Sequence, residues 1–283
     1  MDMAERLDRR IVVDLVERFL DEDVGRGDRT TEAVVDAGAR GTARIEAREP
    51  TVVAGLDVAR ACFEVVGGHQ IEWRAEVEDG QTVEAMDVIA RIEGPLRAIL
   101  TAERTALNLL ARMSAVATAT RAAVEAAGDT SAHVVDTRKT TPGLRLLEKY
   151  AVRAGGGANH RFGLDDGILI KDNHIAAAGS VSEAVARARA AAPHGLKIEV
   201  EVQDLDGLDE ALAAGADAIL LDNMTPEMVR DAVVRAGGKA LLESSGGITL
   251  ENLKRFADTG VDLISMGALT HSARAIDMSL EVE

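Results

Sequence analysis

Aromatic residues are scarce. Of 283 residues, four are Phe, one is Trp and one is Tyr. Stacking of nucleic-acid bases on aromatic platforms is therefore excluded as the main mode of action, and the core must rest on Ala, Val, Leu and Ile. Cysteine occurs once, at Cys62, which excludes an internal disulfide and a thiolate zinc cluster. No apolar run approaches the roughly 18 residues that would span a membrane. The first ten residues, MDMAERLDRR, carry no secretory apolar segment. These absences predict a cytoplasmic protein with no membrane partner. Positive charge is in deficit too: 32 Lys and Arg face 48 Asp and Glu, for a net charge of −16. That balance argues against a broad surface for nucleic acid. It leaves room for a small anionic substrate, because distant charges are screened within about 8 Å at physiological salt.

What is present is a globular chain, 47% hydrophobic and 28% charged, long enough for one large domain or two modest ones. Ile11, Val12, Leu15, Val16 and Phe19 recur at helical spacing. From 42 to 95, "TARIEA", "VVAG", "IEWRAEVEDG" and "DVIARIEG" read as strands and turns, with a helix near 57–66 and a tight turn at Asp79-Gly80. An Ala-rich, Gly-poor stretch over 95–127 reads as one long helix. From 133 the rhythm changes. "HVVD", "GILI", "KIEVEV", "AILLD", "ALLES" and "LISMG" alternate with helical segments starting at Pro142, Ser182, about 205, Pro226 and Leu250. Such alternation predicts a six-stranded parallel sheet. The expected fold is α/β: an N-terminal α/β (α+β-like) domain plus a C-terminal incomplete parallel β/α barrel. An open doubly wound sheet is the alternative. The helix after "HVVD" is expected to be capped by Thr140 or Thr141 and ended by Gly155, with Arg145, Lys149 and Arg153 on one solvated stripe.

In a parallel barrel the reacting groups gather where strands end, because those loops converge on one mouth. Here the ends are chemically unusual. Thr137, Arg138 and Lys139 follow "HVVD", and Lys171 follows "GILI". Glu199 and Glu201 share one strand face, with Glu201 nearer the mouth. Asp222 ends "AILLD". Ser245-Gly246-Gly247 and Gly267-Ala268 follow the last two strands, where glycine-rich loops often cradle phosphate. Between 138 and 171 seven Lys or Arg face three acids, so the segment is locally cationic. Such a set suits a substrate with several anionic groups. The run "GGGANHRFG" (155–163) would turn the chain so that His160 and Arg161 reach the mouth. No histidine pair shows transition-metal spacing.

The stretch "DTRKTTPGLRLLEKYAVRAGGGANHRFGLDDGILIKDNH" (136–174) resembles the quinolinate phosphoribosyltransferase family. "LDEDVGRGDRTT", "LTAERTALNLLARMSAVAT", "EVEV", "LLDN", "LESSGGI" and "GALTHS" resemble it as well, in order along nearly the whole chain. The resemblance implies two domains: residues 1–112, joined by the tail 271–283, and a barrel over 113–270. It implies that quinolinate and phosphoribosyl pyrophosphate (PRPP) are converted to nicotinate mononucleotide, pyrophosphate and CO₂ with Mg²⁺. Arg138, His160, Arg161 and Lys171 match positions that bind the quinolinate carboxylates, and Thr137 falls among the substrate-binding positions. Lys139 matches a position close to both substrates. Glu201 and Asp222 match acids near the ribose and the metal–pyrophosphate, with Mg²⁺ held indirectly. Ser245, Gly246, Gly247, Gly267 and Ala268 match phosphate-binding loops. Arg104 matches an arginine inserted into the neighbouring subunit's site, which implies a homodimer or a higher homo-oligomer. The family usually has Ser-Gly-Ile-Ala-Thr where this chain reads Ser114-Ala115-Val116-Ala117-Thr118. Two other readings compete: a non-decarboxylating phosphoribosyltransferase acting on another ring acid, and a non-catalytic phosphate-binding barrel.

Overall fold

The computed structural model describes residues 7–283. The chain forms two compact units. One comprises the segments up to Ala119, Leu146–Gly156 and Ala273–Glu283; the other comprises Thr120–Arg145 and Gly157–Ser272.

The first unit begins with helix α1 (Arg9–Val24), whose Asp8 cap accepts the N–H of Arg10 and whose Val12, Val16 and Leu20 form the buried face. Helix α2 (Arg29–Val34) follows. Strands β1 (Arg40–Ala47) and β2 (Thr51–Val52), helix α3 (Leu56–Gly67), and strands β3 (Glu72–Ala75), β4 (Thr82–Val83) and β5 (Val88–Pro95) come next. Cys62, on α3, is buried, and burial pushes its thiol up to about 12, so it is no nucleophile at neutral pH. Helix α4 (Leu96–Ala127) is continuous, so the expected boundary at 112/113 falls inside one helix. Its Ser114 hydroxyl accepts the Ala54 N–H at 3.1 Å, and its Thr118 hydroxyl accepts the Val52 N–H at 2.9 Å.

Strand β6 (His133–Val135) opens the second unit, but helix α5 (Arg145–Ala154) returns almost wholly to the first. The expected solvated stripe on α5 is not what forms. Lys149 is only 2% exposed, beside fully buried Glu148. Glu148 Oε1 accepts from Arg112 Nε at 3.0 Å and Nη2 at 2.7 Å. The Tyr150 hydroxyl donates to Asp79 Oδ2 at 2.7 Å, while Asp79 Oδ1 accepts the N–H groups of Gly55 and Leu56. Burial raises the Asp79 carboxyl above its ordinary range. Of the expected stripe, Lys149 is buried and Arg145 and Arg153 are half-buried, so it is not a wetted face. The helix also starts later than expected, and the Thr140 hydroxyl accepts from Arg145 Nε instead of capping it.

The second unit continues with β7 (Ile168–Ile170), α6 (Asp172–Ala178), α7 (Val181–Ala191), β8 (Ile198–Val202), α8 (Leu205–Ala213) and β9 (Ala218–Asp222). It ends with α9 (Pro226–Ala236), β10 (Leu241–Ser245), α10 (Leu253–Ala257), β11 (Leu263–Ser265) and α11 (Ala268–His271). Helix α6 was not anticipated from the sequence. The final strand, β12 (Met278–Val282), returns to the first unit and pairs with β1, completing an antiparallel sheet ordered β12-β1-β5-β3.

The six parallel strands are ordered β6-β11-β10-β9-β8-β7. Each strand after β6 neighbours its sequence successor, as in a barrel; a doubly wound sheet would reverse order at a switch point. The helices cover one face only. Val134, Ile170, Ile198, Val200, Val202, Ile219, Leu221, Leu242 and Ile264 share a core with helical residues such as Val185, Leu208, Val229 and Leu253. By the two-residue period of strands, Glu199, Glu201, Asp222, Glu243 and Ser265 face the inside. A sheet with helices on one face and charge on the other must curve around that charge, so this is an incomplete barrel. A parallel bridge between Val135 and Ala158 extends its β6 edge, with the Ala158 N–H donating to Val134 O at 2.9 Å.

Candidate active site

Six strand ends form the rim of the barrel. After β6, the Thr137 hydroxyl accepts the Lys139 N–H at 3.0 Å, and the Lys139 carbonyl accepts the Thr270 hydroxyl at 2.8 Å. These bonds tie the first strand end to the last. Lys139 runs beside Gly267, where a Cβ would come 3.0 Å from its Cδ. After β10, Ser245 is in register with Asp222 of β9, and its carbonyl accepts the Asn223 N–H at 2.8 Å. Asn223 Nδ2 donates to Asp222 Oδ2 at 2.9 Å. Gly246 has a φ of +94°, and a Cβ there would sit 2.2 Å from Asn223 Oδ1. Only glycine allows this turn, which leaves Gly247 exposed beside it.

On β8, Glu201 pairs with Lys171 at the end of β7. Lys171 is held in turn by its own N–H, which donates to His174 Nδ1 at 3.0 Å. The rim therefore carries Thr137, Arg138, Lys139, Lys171, Glu201, Asp222, Ser245, Gly246, Gly247, Gly267 and Ala268 at consecutive strand ends. The helices behind the glycine turns are short: α10 has five residues and α11 has four. Any phosphate held there would rely on the turn N–H groups and not on a long helix dipole.

The glycine run ends the helix and turns the chain as expected. Gly155 ends α5, its N–H donating to Ala151 O at 2.9 Å, and Gly156 turns the chain with a φ of +95°. The following residues then lie along β6. Asp136, fully buried, accepts from Asn159 Nδ2 at 2.8 Å and from the His160 N–H at 2.9 Å. Arg161 spans the open seam, with Nη1 donating to Gly167 O at 2.7 Å just ahead of β7. Burial and then the positive charge of Arg138 lower the Arg161 pKa. The His160 ring turns inward, onto Glu199 and Glu243. Arg104 is exposed on α4 of the first unit, beside a small cleft of about 250 Å³ with Asn108 and Asp277.

Asp136, Asn159, Asn223 and Glu243 were missed in the sequence. Glu243 had a signal: it shares the strand phase of Ser245 inside the apolar run "ALLES", so an acid had to point inward. Among the described residues no helix is long and apolar enough to cross a membrane.

Such a barrel, with cations, two acids and glycine turns around one rim, defines a β/α-barrel protein built to hold a polyanion. Family models narrow this. Residues 28–114 match the quinolinate phosphoribosyl transferase N-terminal domain and residues 116–281 its C-terminal domain, and the chain belongs to that family. It is 49% identical over 276 residues to the nicotinate-nucleotide pyrophosphorylase (carboxylating) of Mycobacterium leprae, covering 95% of this chain and 96% of the relative. It is 47% identical over 268 residues to the probable enzyme of the same name from Bacillus subtilis, covering 95% and 92%. The solved nicotinate-nucleotide pyrophosphorylase of Francisella tularensis matches at a TM-score of 0.93 and 41% identity, covering 100% of both chains.

Proposed function

We propose that this chain transfers the phosphoribosyl group of PRPP to quinolinate and decarboxylates the product, giving nicotinate mononucleotide for NAD synthesis. The observation that carries this reading is the rim itself. A −16 chain brings Arg138, Lys139 and Lys171 to one rim with the Gly246 and Gly267 turns, Glu201 and Asp222, and sets Arg161 across the seam. The cations bind the two quinolinate carboxylates, and the turns take the 5′-phosphate. Fixing the dianion raises the effective concentration of the ring nitrogen at C1′ of the ribose. The nitrogen forms its bond to C1′ as the C1′–O bond to pyrophosphate breaks, and the carboxylates stabilise the positive charge developing at C1′. The alkylated nitrogen is positive. Loss of the adjacent 2-carboxylate as CO₂ leaves its electron pair on C2, beside that charge, and C2 then takes up a proton.

Glu201 and Asp222 fit Mg²⁺. They are hard oxygen donors on neighbouring strands, too few to form a cage, as suits a cation that keeps water and shares substrate phosphates. Mg²⁺ there supplies neutralisation of the departing pyrophosphate. Arg104, exposed on α4, acts in the site of a second subunit, so the working unit is at least a homodimer. The single buried cysteine suits a reducing cytoplasm. A ring acid with one carboxylate would leave part of the cationic set unmatched.

The test is direct. Protein, Mg²⁺, PRPP and quinolinate labelled at the 2-carboxylate should yield labelled CO₂ and nicotinate mononucleotide in equal amounts. Turnover of nicotinate, with none of quinolinate, would overturn the reading.

A further inference from the structure

Below the rim the His160 ring meets two carboxylates, Glu199 and Glu243, to which the proposed chemistry gives no part. The Arg161 N–H donates to His160 Nδ1 at 2.7 Å. An Nδ1 that accepts carries no proton, so the single proton of the neutral ring is on Nε2. Nε2 faces Glu199 Oε2 at 3.2 Å and Glu243 Oε2 at 3.6 Å. The three groups lie within 4.8 Å of one another, a spacing that a metal ion would also accept. The tautomer argues against one. A metal on Nε2 would require the proton on Nδ1, directed at the Arg161 N–H. An imidazolium would create the same clash. The cluster also opens onto a cavity of about 600 Å³ lined by Leu196, Leu241 and Leu263, on the side of the barrel where the strands begin.

We infer that Glu199, backed by Glu243, is a positioning residue: it accepts the Nε2–H of His160 and so keeps Nδ1 free to hold the backbone of Arg161. With Nη1 anchored on Gly167 O, Arg161 is then restrained at both ends, and its guanidinium keeps one aim toward a substrate carboxylate. The kinetic part of this inference rests on the function proposed above; the tautomer part does not.

Two measurements test it. Long-range ¹H–¹⁵N correlation of histidine-labelled protein at pH 7.5, with His160 assigned through His160→Gln, should show the Nε2–H tautomer. An Nδ1–H or doubly protonated ring would overturn the inference, whether or not the protein turns over quinolinate. In kinetics, Glu199→Leu should raise the quinolinate KM about tenfold and leave the PRPP KM within about twofold. Glu199→Gln should restore it to within about twofold, because an amide oxygen also accepts Nε2–H. A Gln variant as impaired as the Leu variant would mean that charge, not the acceptor, matters, and would sink the tautomer lock. An unaffected Leu variant would do the same. Should the Leu variant not fold, the Gln variant and the ring spectrum still decide.

Discussion

Glu243→Gln probes the barrel interior most sharply. Glu243 is 1% exposed, and among the described residues its Oε1 has no hydrogen-bond partner. Burial first, then the negative charge of Glu199, push its carboxyl from 4.5 up to about 7. A raised carboxyl pKa means that the folded chain holds the proton more tightly than the unfolded one. Below pH 4.5 both states are protonated and Glu243 costs nothing. Between 4.5 and about 7 the unfolded chain ionises first, and stability falls as pH rises. Above about 7 the full cost is in place, about 3 kcal/mol. Glutamine never ionises, so the variant lacks this slope. Its stability relative to wild type should improve by about 2.5 kcal/mol from pH 5 to pH 8. For a chain of this size that widens the Tm difference by about 5 °C. Any packing cost of the amide is the same at both pH values and cancels. Thermal unfolding followed by circular dichroism at the two pH values measures it. A Tm difference that does not change with pH would refute the argument.

Arg138→Ala and Lys171→Ala should each lower kcat/KM for quinolinate by about ten- to a hundredfold without moving Tm; near-normal kinetics in both would end the assignment of the cationic rim. Gly246→Ala should destabilise by about 1–2 kcal/mol from the left-handed backbone alone and raise the PRPP KM more than the quinolinate KM, as steady-state kinetics will show. Arg112→Leu should cost about 1–3 kcal/mol in denaturant unfolding, because it removes both Arg112 hydrogen bonds to the buried Glu148 Oε1. Mixing Arg104→Ala with Lys171→Ala subunits should regain about a quarter of wild-type turnover, since half the dimers are mixed and each mixed dimer has one intact site. No regain would place Arg104 in its own subunit's site.

The barrel was legible because its signals are local. Six apolar runs, each followed by a helical segment, specify parallel strands whatever surrounds them, and the residues after each run must reach the rim. Arg138, Lys171, Glu201, Asp222 and Ser245 could be read for that reason. Helix α5 was not legible. Its Arg145, Lys149 and Arg153 have the spacing of a wet face, yet packing within the first unit buries Lys149 and half-buries Arg153. The direction of the His160 ring was not legible either: adjacency to Arg161 suggested that both reach the mouth, yet the ring faces Glu199 and Glu243.

By itself, then, the sequence determined most element types, their order along the chain and the cationic character of the rim, because periodicity and strand-end position are properties of neighbouring residues. The tertiary structure alone decided which charges are buried, which tautomer His160 holds and which unit α5 joins. Those depend on groups 24 to 83 residues apart, such as Asp136 with His160 and Glu243 with His160, and distant partners leave no mark on local spacing.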